Sequence, residues 1–414
     1  MPRFLVELRD RTLRRVGVIE SYTSLEVIAR YCDVGSWLLT MPAGYGGPLL
    51  EPGSGIVVWT EGLDEPVMSG PVTSIEHVWD ADNGGAGTVT FSGVSDEQIL
   101  FGRTTYPIPG ESIYNQTIDA AVGRGPVGKV ITDLVNLNAG PGARGNRRVP
   151  GLVVEPSTLG QTVSWYSRLD NLGYKIKDLA LANGVGWQVR QTTAGEIEFS
   201  VYTPRDFSAS VLFSKEAGNL GGFSYKLTAP TATRFIAAAQ GEGKWRYMRA
   251  YRDDGNGPEL DPNEESGVYT VPESEWFTYW PELLIDRRDI PIAYNDLRHP
   301  VNPETGSETG DFEPLDDAVA EDALEAAPIA ALSLTPFDLP TLKFGKHYRL
   351  GDTVSAVVNG AMITDVLREV RLSDGEEGAR VTPLVGSSYA SETPSIYREI
   401  KRVWNSLRKL EARR

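Results

Sequence analysis

The sequence is poor in the residues from which many enzymes build metal and thiol sites. Its 414 residues include one cysteine, Cys32, and three histidines. A single cysteine excludes an internal disulfide and a cysteine-rich zinc site, and it fits assembly in a reducing cytoplasm. The histidines stand far apart, without the HExxH or His-x-x-x-His spacing of a metal site. We therefore expect no metal ion and no cofactor.

The chain also lacks a long apolar run and an excess of basic charge. The stretches near Phe235–Ala239 and Ala326–Leu332 are far shorter than the ~20 residues that span a bilayer. The start, MPRFLVELRDRTLRR, has no apolar signal core. The formal net charge of −16 argues against binding nucleic acid through its phosphates. We expect neither stable membrane insertion nor sequence-specific nucleic-acid binding.

Turn residues are abundant, with 43 glycines and 27 prolines, and short runs of alternating apolar residues lie between them. Phe4–Leu8 and Thr12–Ile19 predict a hairpin, and further strands follow as far as Thr88–Phe91. Because open sheet edges invite unwanted pairing, we expect these strands to close on themselves. Residues 1–106 are predicted to form a first β-barrel domain.

The pattern changes to a mixture of helices and strands after this domain. The apolar residues of Val127–Val135 have helical spacing after Pro126, which suits a first helical turn. Those of Leu172–Ala180 also have helical spacing, and Asn183-Gly184 predicts the end of this second helix. Gly186–Val189 and Glu196–Phe199 predict a hairpin. Residues 107–205 are predicted to form a small α+β insertion domain.

Strand signals return in residues 206–390, which we predict to be a second β-barrel domain with a long acidic insertion. Residues 253–325 contain 21 Asp and Glu against three Arg, and the Ala-rich Glu321–Leu332 predicts a helix. A solvated surface is the simpler interpretation of this acidic stretch. The sharper hypothesis is that some carboxylates line a passage for DNA, because like-charged walls let a polyanion slide.

The last residues, 391–414, predict a helix with heptad spacing after Thr393-Pro394. The spacing permits a trimer but does not prove one, and about 20 residues are too short to drive association alone. We predict that this seam forms an oligomer contact. Its apolar positions are Ile396, Ile400, Val403, Leu407 and Leu410.

Several segments resemble the minor tail proteins of long-tailed phages (siphoviruses) of actinobacteria, which are similar to phage baseplate and tail-tip hub proteins. The resemblance extends from about Phe4 to about Gly386 and concerns strand and turn residues, without a catalytic signature. It is carried by Tyr202–Asp206, Phe213-Ser214, Gly218–Leu220, Ala229–Thr233 and Leu350–Asp352.

This resemblance implies a structural virion protein of the tail tip. Two β-barrel-like hub domains of each subunit would lie side by side in a homotrimer, which adapts a sixfold tail tube to a threefold tip and gates the DNA channel. The implied partners are the distal tail protein ring, the tape-measure protein, and central fibre or spike proteins. The implied place is the phage tail, after assembly in the host cytoplasm.

Two motifs approach an enzyme or nucleotide site without matching one. Gly123–Val130 nearly fits the phosphate loop, but Val130 stands where the loop needs a hydroxyl for Mg²⁺. Cys32 with His77, His299 or His347 would give a thiol nucleophile and its base, but no family signature surrounds the cysteine. A loop feeding a helix and a buried core cysteine are the better interpretations.

Acidic residues give no sharper signal. With 56 Asp and Glu, a glycosidase pair of carboxylates can be chosen anywhere. Asp80–Gly84 and Asp253–Gly257 resemble fragments of Ca²⁺ loops but lack the 12-residue spacing that ends in Glu. We therefore expect no catalytic residues and no enzyme.

Two alternatives remain open from the sequence. The first is a tail-associated wall hydrolase, for which we expect no room because the chain ends at Arg414 with a short helix. The second is a receptor-binding protein that grips cell-wall sugars through exposed aromatic residues, of which Trp276–Trp280 is a cluster. Packing of this cluster on a neighbour is the simpler interpretation, because aromatic residues also dominate interfaces.

Overall fold

The computed structural model describes part of the chain. Within it the fold is mainly β, with an α+β insertion, which confirms the predicted fold class. The described residues are 4–43, 51–61, 63–79, 87–228, 232–239, 247–253, 258–260, 289–293, 313–326, 329–336, 339, 342–358, 361–376 and 378–386.

Seven strands precede the insertion. Along the first of them Phe4, Val6 and Leu8 are buried while Leu5 is exposed, which is the alternation of a strand with one face in a core. The first two strands form the predicted hairpin, with Val6 opposite Ile19. The strands are β1 (Phe4–Arg9), β2 (Arg15–Ile19), β3 (Ser24–Arg30), β4 (Ser36–Pro42), β5 (Gly55–Thr60), β6 (Met68–Val78) and β7 (Thr88–Val94).

The insertion alternates short strands with helices. Its first helix begins directly after Pro126, as predicted, and its second ends before Asn183 and Gly184. The short helix α1 (Gln98–Phe101) precedes the insertion, whose elements are β8 (Ala121–Pro126), α2 (Val127–Asn138), β9 (Leu152–Val154), β10 (Thr162–Ser167), α3 (Leu172–Ala182), β11 (Gly186–Arg190) and β12 (Ile197–Tyr202).

The remaining described elements are mostly strands. They are β13 (Leu212–Phe213), β14 (Leu220–Thr228), β15 (Arg234–Ala238), β16 (Met248–Asp253), β17 (Pro258–Leu260), β18 (Asp289–Ala293), α4 (Glu313–Ala326), β19 (Ile329–Pro336), β20 (Thr353–Val358), β21 (Ala361–Asp374) and β22 (Arg380–Gly386).

One sheet unites the first seven strands with strands from the C-terminal half. Its order is β14-β19-β22-β21-β3-β4-β7-β6-β5-β1-β2, with β20 also paired to β21 and β13 to β20. The link between the two halves is the antiparallel pairing of β21 with β3, in which Glu369 lies opposite Arg30. Closure into barrels is not seen among the described strands, so the two barrels and the predicted domain boundaries stay predictions.

Two apolar cores lie behind these elements. The first is shared by both halves of the large sheet and includes Val27 of β3 and Leu372 of β21, each fully buried. The second fills the insertion, where helix residues such as Ile131 and Ile176 pack with Trp187 and Phe199. The rings of Trp187 and Phe199 stack with their centroids 5.9 Å apart. Tyr31 and Cys32 of the turn after β3 also belong to this second core, so apolar contact joins the insertion to the N-terminal region.

Contacts divide the chain into one unit of residues 1–224 and 332–388 and another of residues 225–331 and 389–414. In the second unit, the sheet β17-β16-β15-β18 packs against α4 through Leu315, Val319 and Ala323. This helix lies at 313–326, so the prediction of a helix over 321–332 was wrong in its bounds. The physical reason is that Leu332 and Leu334 alternate into the first core as part of strand β19.

Several predictions fall on residues outside the described part of the chain. They are the seam residues Ile396, Ile400, Val403, Leu407 and Leu410, the aromatic cluster Trp276–Trp280, His299, residues 80–84 and most of the acidic stretch 253–325.

Candidate functional site

Cys32 is a core residue and not an exposed nucleophile. Its side chain is 1% exposed, and its Sγ lies 3.4 Å from the backbone nitrogen of Trp187, which donates to it. Burial raises the pKa of the Cys32 thiol to about 12, so the reactive thiolate is disfavoured. His347 uses its Nδ1 to accept from the backbone nitrogen of Lys343, and His77 lies exposed on β6. The structure therefore brings neither of these histidines to the thiol as a base.

The segment that approached a phosphate loop has a different conformation. Gly123 and Gly125 lie within β8, which pairs with β10, and α2 begins immediately at Val127. The Lys129 ammonium bonds the Asp133 carboxylate at 2.5 Å, one helical turn further on. A phosphate cradle needs a loop of free backbone amides before the helix, and here that stretch is a paired strand.

Among the described residues no group of three or more His, Cys, Asp or Glu side chains is placed to hold a metal ion.

The helices that the structure describes include none long and apolar enough to cross a membrane.

The turn after β3, at Tyr31–Asp33, contacts three regions of the first unit. The Tyr31 hydroxyl donates to the Val185 carbonyl of the insertion at 2.8 Å, and its backbone nitrogen donates to the Arg368 carbonyl of β21 at 2.8 Å. Asp33 binds the Lys177 ammonium of α3 at 2.7 Å. The turn therefore joins the N-terminal strands, the insertion and the C-terminal strands, and we call it the three-way junction.

A glycine makes the close contacts of the three-way junction possible. Gly351 has a φ of +86°, and a Cβ at this position would lie 2.5 Å from the ring of Tyr31. Both the backbone conformation and the space therefore require glycine. Gly351 belongs to a segment that carries the resemblance drawn from the sequence.

A buried ion pair within the N-terminal region is part of the network that contacts the insertion. The Nη1 and Nη2 atoms of the Arg9 guanidinium donate to the Asp96 carboxylate, at 2.7 and 2.6 Å. Arg9 is 2% exposed and Asp96 is 1% exposed. The Ser69 hydroxyl donates to the same carboxylate at 2.5 Å and accepts from the Gln191 backbone nitrogen at 2.8 Å. Since Gln191 follows β11, this network fixes the insertion hairpin to β1 and β6.

Arg15 extends the same anchor toward solvent. Its Nη2 donates to the carbonyl oxygens of Gln191 and Thr192, at 2.9 and 3.0 Å. Its Nη1 lies 2.9 Å from the Glu7 carboxylate, which also accepts from the indole nitrogen of Trp59. The turn between β11 and β12 is thus held from two neighbouring strands.

A second ion pair holds the segment that leaves the insertion. The Asp352 carboxylate accepts from the backbone nitrogen and the Nη2 of Arg205, at 2.9 and 3.0 Å, and from the Arg349 backbone nitrogen at 2.9 Å. Arg205 and Asp352 lie in two of the segments that carry the resemblance. The structure therefore brings these distant segments into contact.

A small cavity of about 10 Å³ lies beside the three-way junction. Its lining includes Arg30, Asp33, Glu97 and Arg190, and its volume is near the lower limit for one water. Burial raises the pKa of Glu97 to about 6, against the opposing effects of Ser95 and Arg190. The cavity is too small for a substrate, so its charged groups serve the joint between regions.

Sequence reasoning missed the ion pairs at these joints. Arg9 and Asp96 are separated by 87 positions, and Arg30 bonds Glu369 at 2.8 Å across 339 positions. No local spacing signals such pairs. The alternation of β1 gives no hint either. Arg9 falls out of step with Phe4, Val6 and Leu8, and it is buried beside a register shift between Leu8 and Arg9.

Fold and site together define a mainly β structural protein whose buried polar groups brace its parts against each other. A model of the Siphovirus ReqiPepy6 Gp37-like protein family matches residues 5–387. The chain belongs to this family, which confirms the resemblance to siphovirus tail proteins. It is therefore a structural protein of the phage tail and a component of the virion.

Solved structures with a similar arrangement include tail proteins from bacterial genomes. The 43 kDa tail protein of prophage MuSo2 from Shewanella oneidensis is 13% identical, with a TM-score of 0.49 over 92% of this chain and 98% of that one. A tail protein from Neisseria meningitidis MC58 is 10% identical, with a TM-score of 0.49 over 93% and 97%. Prophage tail protein gp18 from Listeria monocytogenes EGD-e is 11% identical, with a TM-score of 0.44 over 98% and 99%. A search of curated proteins gave no match.

Proposed function

We propose that the chain is the hub of the phage tail tip. In this role three subunits form a ring that adapts the sixfold tail tube to a threefold tip and gates the DNA channel. The role is mechanical and not enzymatic. Its partners are the distal tail protein ring, the tape-measure protein, and central fibre or spike proteins, and the ring assembles in the host cytoplasm.

The observation that carries this proposal is the pairing of β21 with β3. It places strands from the two halves of the chain side by side in one sheet with one core. A subunit that contributes two adjacent β regions to a ring gives six such regions in a trimer. In the proposed ring the two regions of each subunit take similar positions, so that the ring meets sixfold and threefold neighbours at once.

Ion pairs between distant parts of the chain support a mechanical role. Arg9–Asp96, Arg30–Glu369 and Arg205–Asp352 each join regions that are far apart in the sequence. A charge pair with bidentate or multiple hydrogen bonds fixes geometry more strictly than apolar contact does. A hub that transmits force between neighbours needs such fixed geometry.

A passage for DNA lined by acidic residues remains part of the proposal. In the described part of the stretch, Asp316 of α4 accepts from the Tyr251 hydroxyl at 2.6 Å. Its side chain is 51% exposed and lies 3.8 Å from the Arg249 guanidinium. At least this carboxylate is therefore engaged in the packing of the helix on its sheet.

Two measurements test the hub proposal. Antibody labelling of intact virions should place the chain at the tail tip, and labelling along the tube or elsewhere would contradict it. The native mass of the full chain is then compared with that of a chain ending at Glu392. A trimer of about 135 kDa, three times the 45.2 kDa chain, that dissociates on truncation would support the predicted seam of residues 396–410.

The enzymatic alternative has its own test. Purified chain is added to isolated host cell walls, and turbidity and soluble sugar are followed over time. We expect no clearing beyond that of buffer. Clearing would contradict the structural role, whereas co-sedimentation with the walls without clearing would favour the receptor-binding alternative.

A further inference from the structure

The small cavity beside the three-way junction has a polar lining and room for one small molecule. Its volume of about 10 Å³ corresponds to the space that one water occupies. An occupant is therefore limited to the size of a water molecule or a monatomic ion. The charged lining residues are Arg30 at the end of β3, Asp33 in the turn that follows, Glu97 directly before α1, and Arg190 at the end of β11.

Arg190, which lines the cavity, has a buried donor that needs an acceptor. Its Nη1 donates to the Pro66 carbonyl at 2.5 Å. Its Nε is buried, and no described residue accepts a hydrogen bond from it. Most buried N–H groups in folded proteins are paired with protein or with ordered water, because an unpaired one destabilises the fold. We therefore expect an acceptor beside the Arg190 Nε.

Glu97, which also lines the cavity, has the opposite need. The residue is 9% exposed, and its Oε1 accepts from the Val189 backbone nitrogen at a long 3.3 Å. Burial raises the pKa of the Glu97 carboxyl to about 6, and the Ser95 hydroxyl and Arg190 oppose this shift. At pH 7 the ionised form therefore predominates in a buried place. Two carboxylate oxygens offer about four acceptor positions, so the group has room for a further donor.

The charges around the cavity favour a neutral occupant. Two guanidinium groups in the lining balance two carboxylates at pH 7. Beyond the lining, Arg30 pairs with the Glu369 carboxylate. Asp33 pairs with the Lys177 ammonium, so these outer charges balance as well. Balanced charge gives no preference for an anion or a cation. Water both accepts and donates, which matches a donor that needs an acceptor beside a carboxylate with room for a donor.

We propose that this cavity binds one water molecule, which accepts from the Arg190 Nε and donates to the Glu97 carboxylate. Glu97 stands directly before α1 and Arg190 ends β11, so the water links the N-terminal region to the insertion. A water-mediated bond of this kind is nearly as favourable in enthalpy as a direct one. The inference stands apart from the proposed hub, because it concerns one joint within a single subunit.

A crystal structure of the full chain, at a resolution that shows ordered water, tests the inference directly. The expected result is one density peak at about 2.7–3.2 Å from both the Arg190 Nε and the Glu97 carboxylate. Glu97→Gln keeps an acceptor oxygen and nearly the same shape, so the peak should remain. Glu97→Met keeps a similar length without a carboxylate, so the peak should be lost.

Three crystallographic outcomes would overturn the inference: a dry cavity in the parent chain, a protein acceptor on the Arg190 Nε, or an unchanged peak in Glu97→Met. Crystals soaked in bromide test the alternative of an anion. Bromide gives an anomalous signal that water lacks, so a bromide peak in the cavity would also contradict a bound water.

Solution NMR gives a second measurement that needs no crystals of a variant. With isotope-labelled arginine, the Nε–H of Arg190 in the parent chain should show a nuclear Overhauser effect to a long-lived water. Arg190→Lys removes this signal and so assigns it. An assigned Nε–H without contact to water would overturn the inference even if Glu97→Met does not fold.

Discussion

The insertion and the C-terminal strands are attached to the N-terminal strands in different ways. The insertion is fixed mainly by side chains, through the network of Arg9, Asp96 and Gln191 and through Tyr31 and Cys32, which pack into its core. The C-terminal strands are fixed by backbone pairing between β21 and β3 and by a common apolar core. Side-chain networks set geometry but depend on each member, whereas a shared sheet and core distribute stability over many residues.

The largest effect is expected at the buried ion pair of the network that contacts the insertion. Asp96→Ala leaves the buried Arg9 guanidinium without its partner, which costs about 3–5 kcal/mol of unfolding free energy. Urea unfolding, followed by tryptophan fluorescence, measures this loss. The control is the double variant Arg9→Met with Asp96→Leu, which removes both charges. It should recover a large part of the unfolding free energy that Asp96→Ala loses. A single variant as stable as the parent chain would show that the ion pair does not hold the joint.

Truncating one residue of the shared core should lower the unfolding free energy nearly as much. Leu372 is fully buried on β21, so Leu372→Ala should lower the unfolding free energy by about 2–5 kcal/mol. Met362→Ala is the control, because this β21 side chain is 69% exposed and should change stability by less than about 0.5 kcal/mol. Equal effects at the two positions would contradict the assignment of this core to both halves.

The stability of the folded chain should depend on pH through Glu97, which lines the small cavity beside the three-way junction. Its folded pKa, raised to about 6, exceeds the ordinary value of 4.5, so folding favours the protonated form. The stabilisation that Glu97 gives to the folded chain is fully present below pH 4.5. As the pH rises through 6, the unfolding free energy falls by about 2 kcal/mol through this group. Denaturation of the parent and Glu97→Gln at pH 4.5, 6 and 7.5 measures it. The variant should lack this part of the pH dependence, and identical profiles would refute the assignment.

The smallest effect is expected at the exit of the insertion. The Arg205 side chain is 45% exposed, so Arg205→Ala should cost about 1 kcal/mol or less, and the loss should shrink in high salt. Asp352 keeps its bonds from the backbone nitrogens of Arg205 and Arg349. Asp352→Ala should therefore cost more. The reverse order, measured by urea unfolding, would mean that the arginine side chain dominates.

Local elements could be predicted where the signal itself is local. Pro126 predicted the start of α2, and Asn183-Gly184 the end of α3, because capping and backbone preferences act within one turn. The Ala-rich stretch gave the wrong bounds for α4, since burial of Leu332 and Leu334 in the first core outweighs helix propensity there.

The joints could not be predicted in the same way. The partners of Arg9, Arg30 and Arg205 lie 87, 339 and 147 positions away, and their meeting depends on the order of strands in the sheet. The pairing of β21 with β3 likewise has no local signature. Family resemblance supplied the expectation of adjacent β regions, but not the residues that join them.

The pairing of β3 with β21 also fixes an order of events during synthesis. Arg30 is made long before Glu369, its partner 339 positions later, whereas the elements of the insertion lie within residues 121–202. The insertion can therefore fold during synthesis while one edge of β3 is still unpaired, because β21 has not yet been made. Contacts of such long sequence separation form slowly, and an open edge in the interval favours pairing with other chains. Synthesis of β21 thus ends the period in which this edge of β3 has no partner strand.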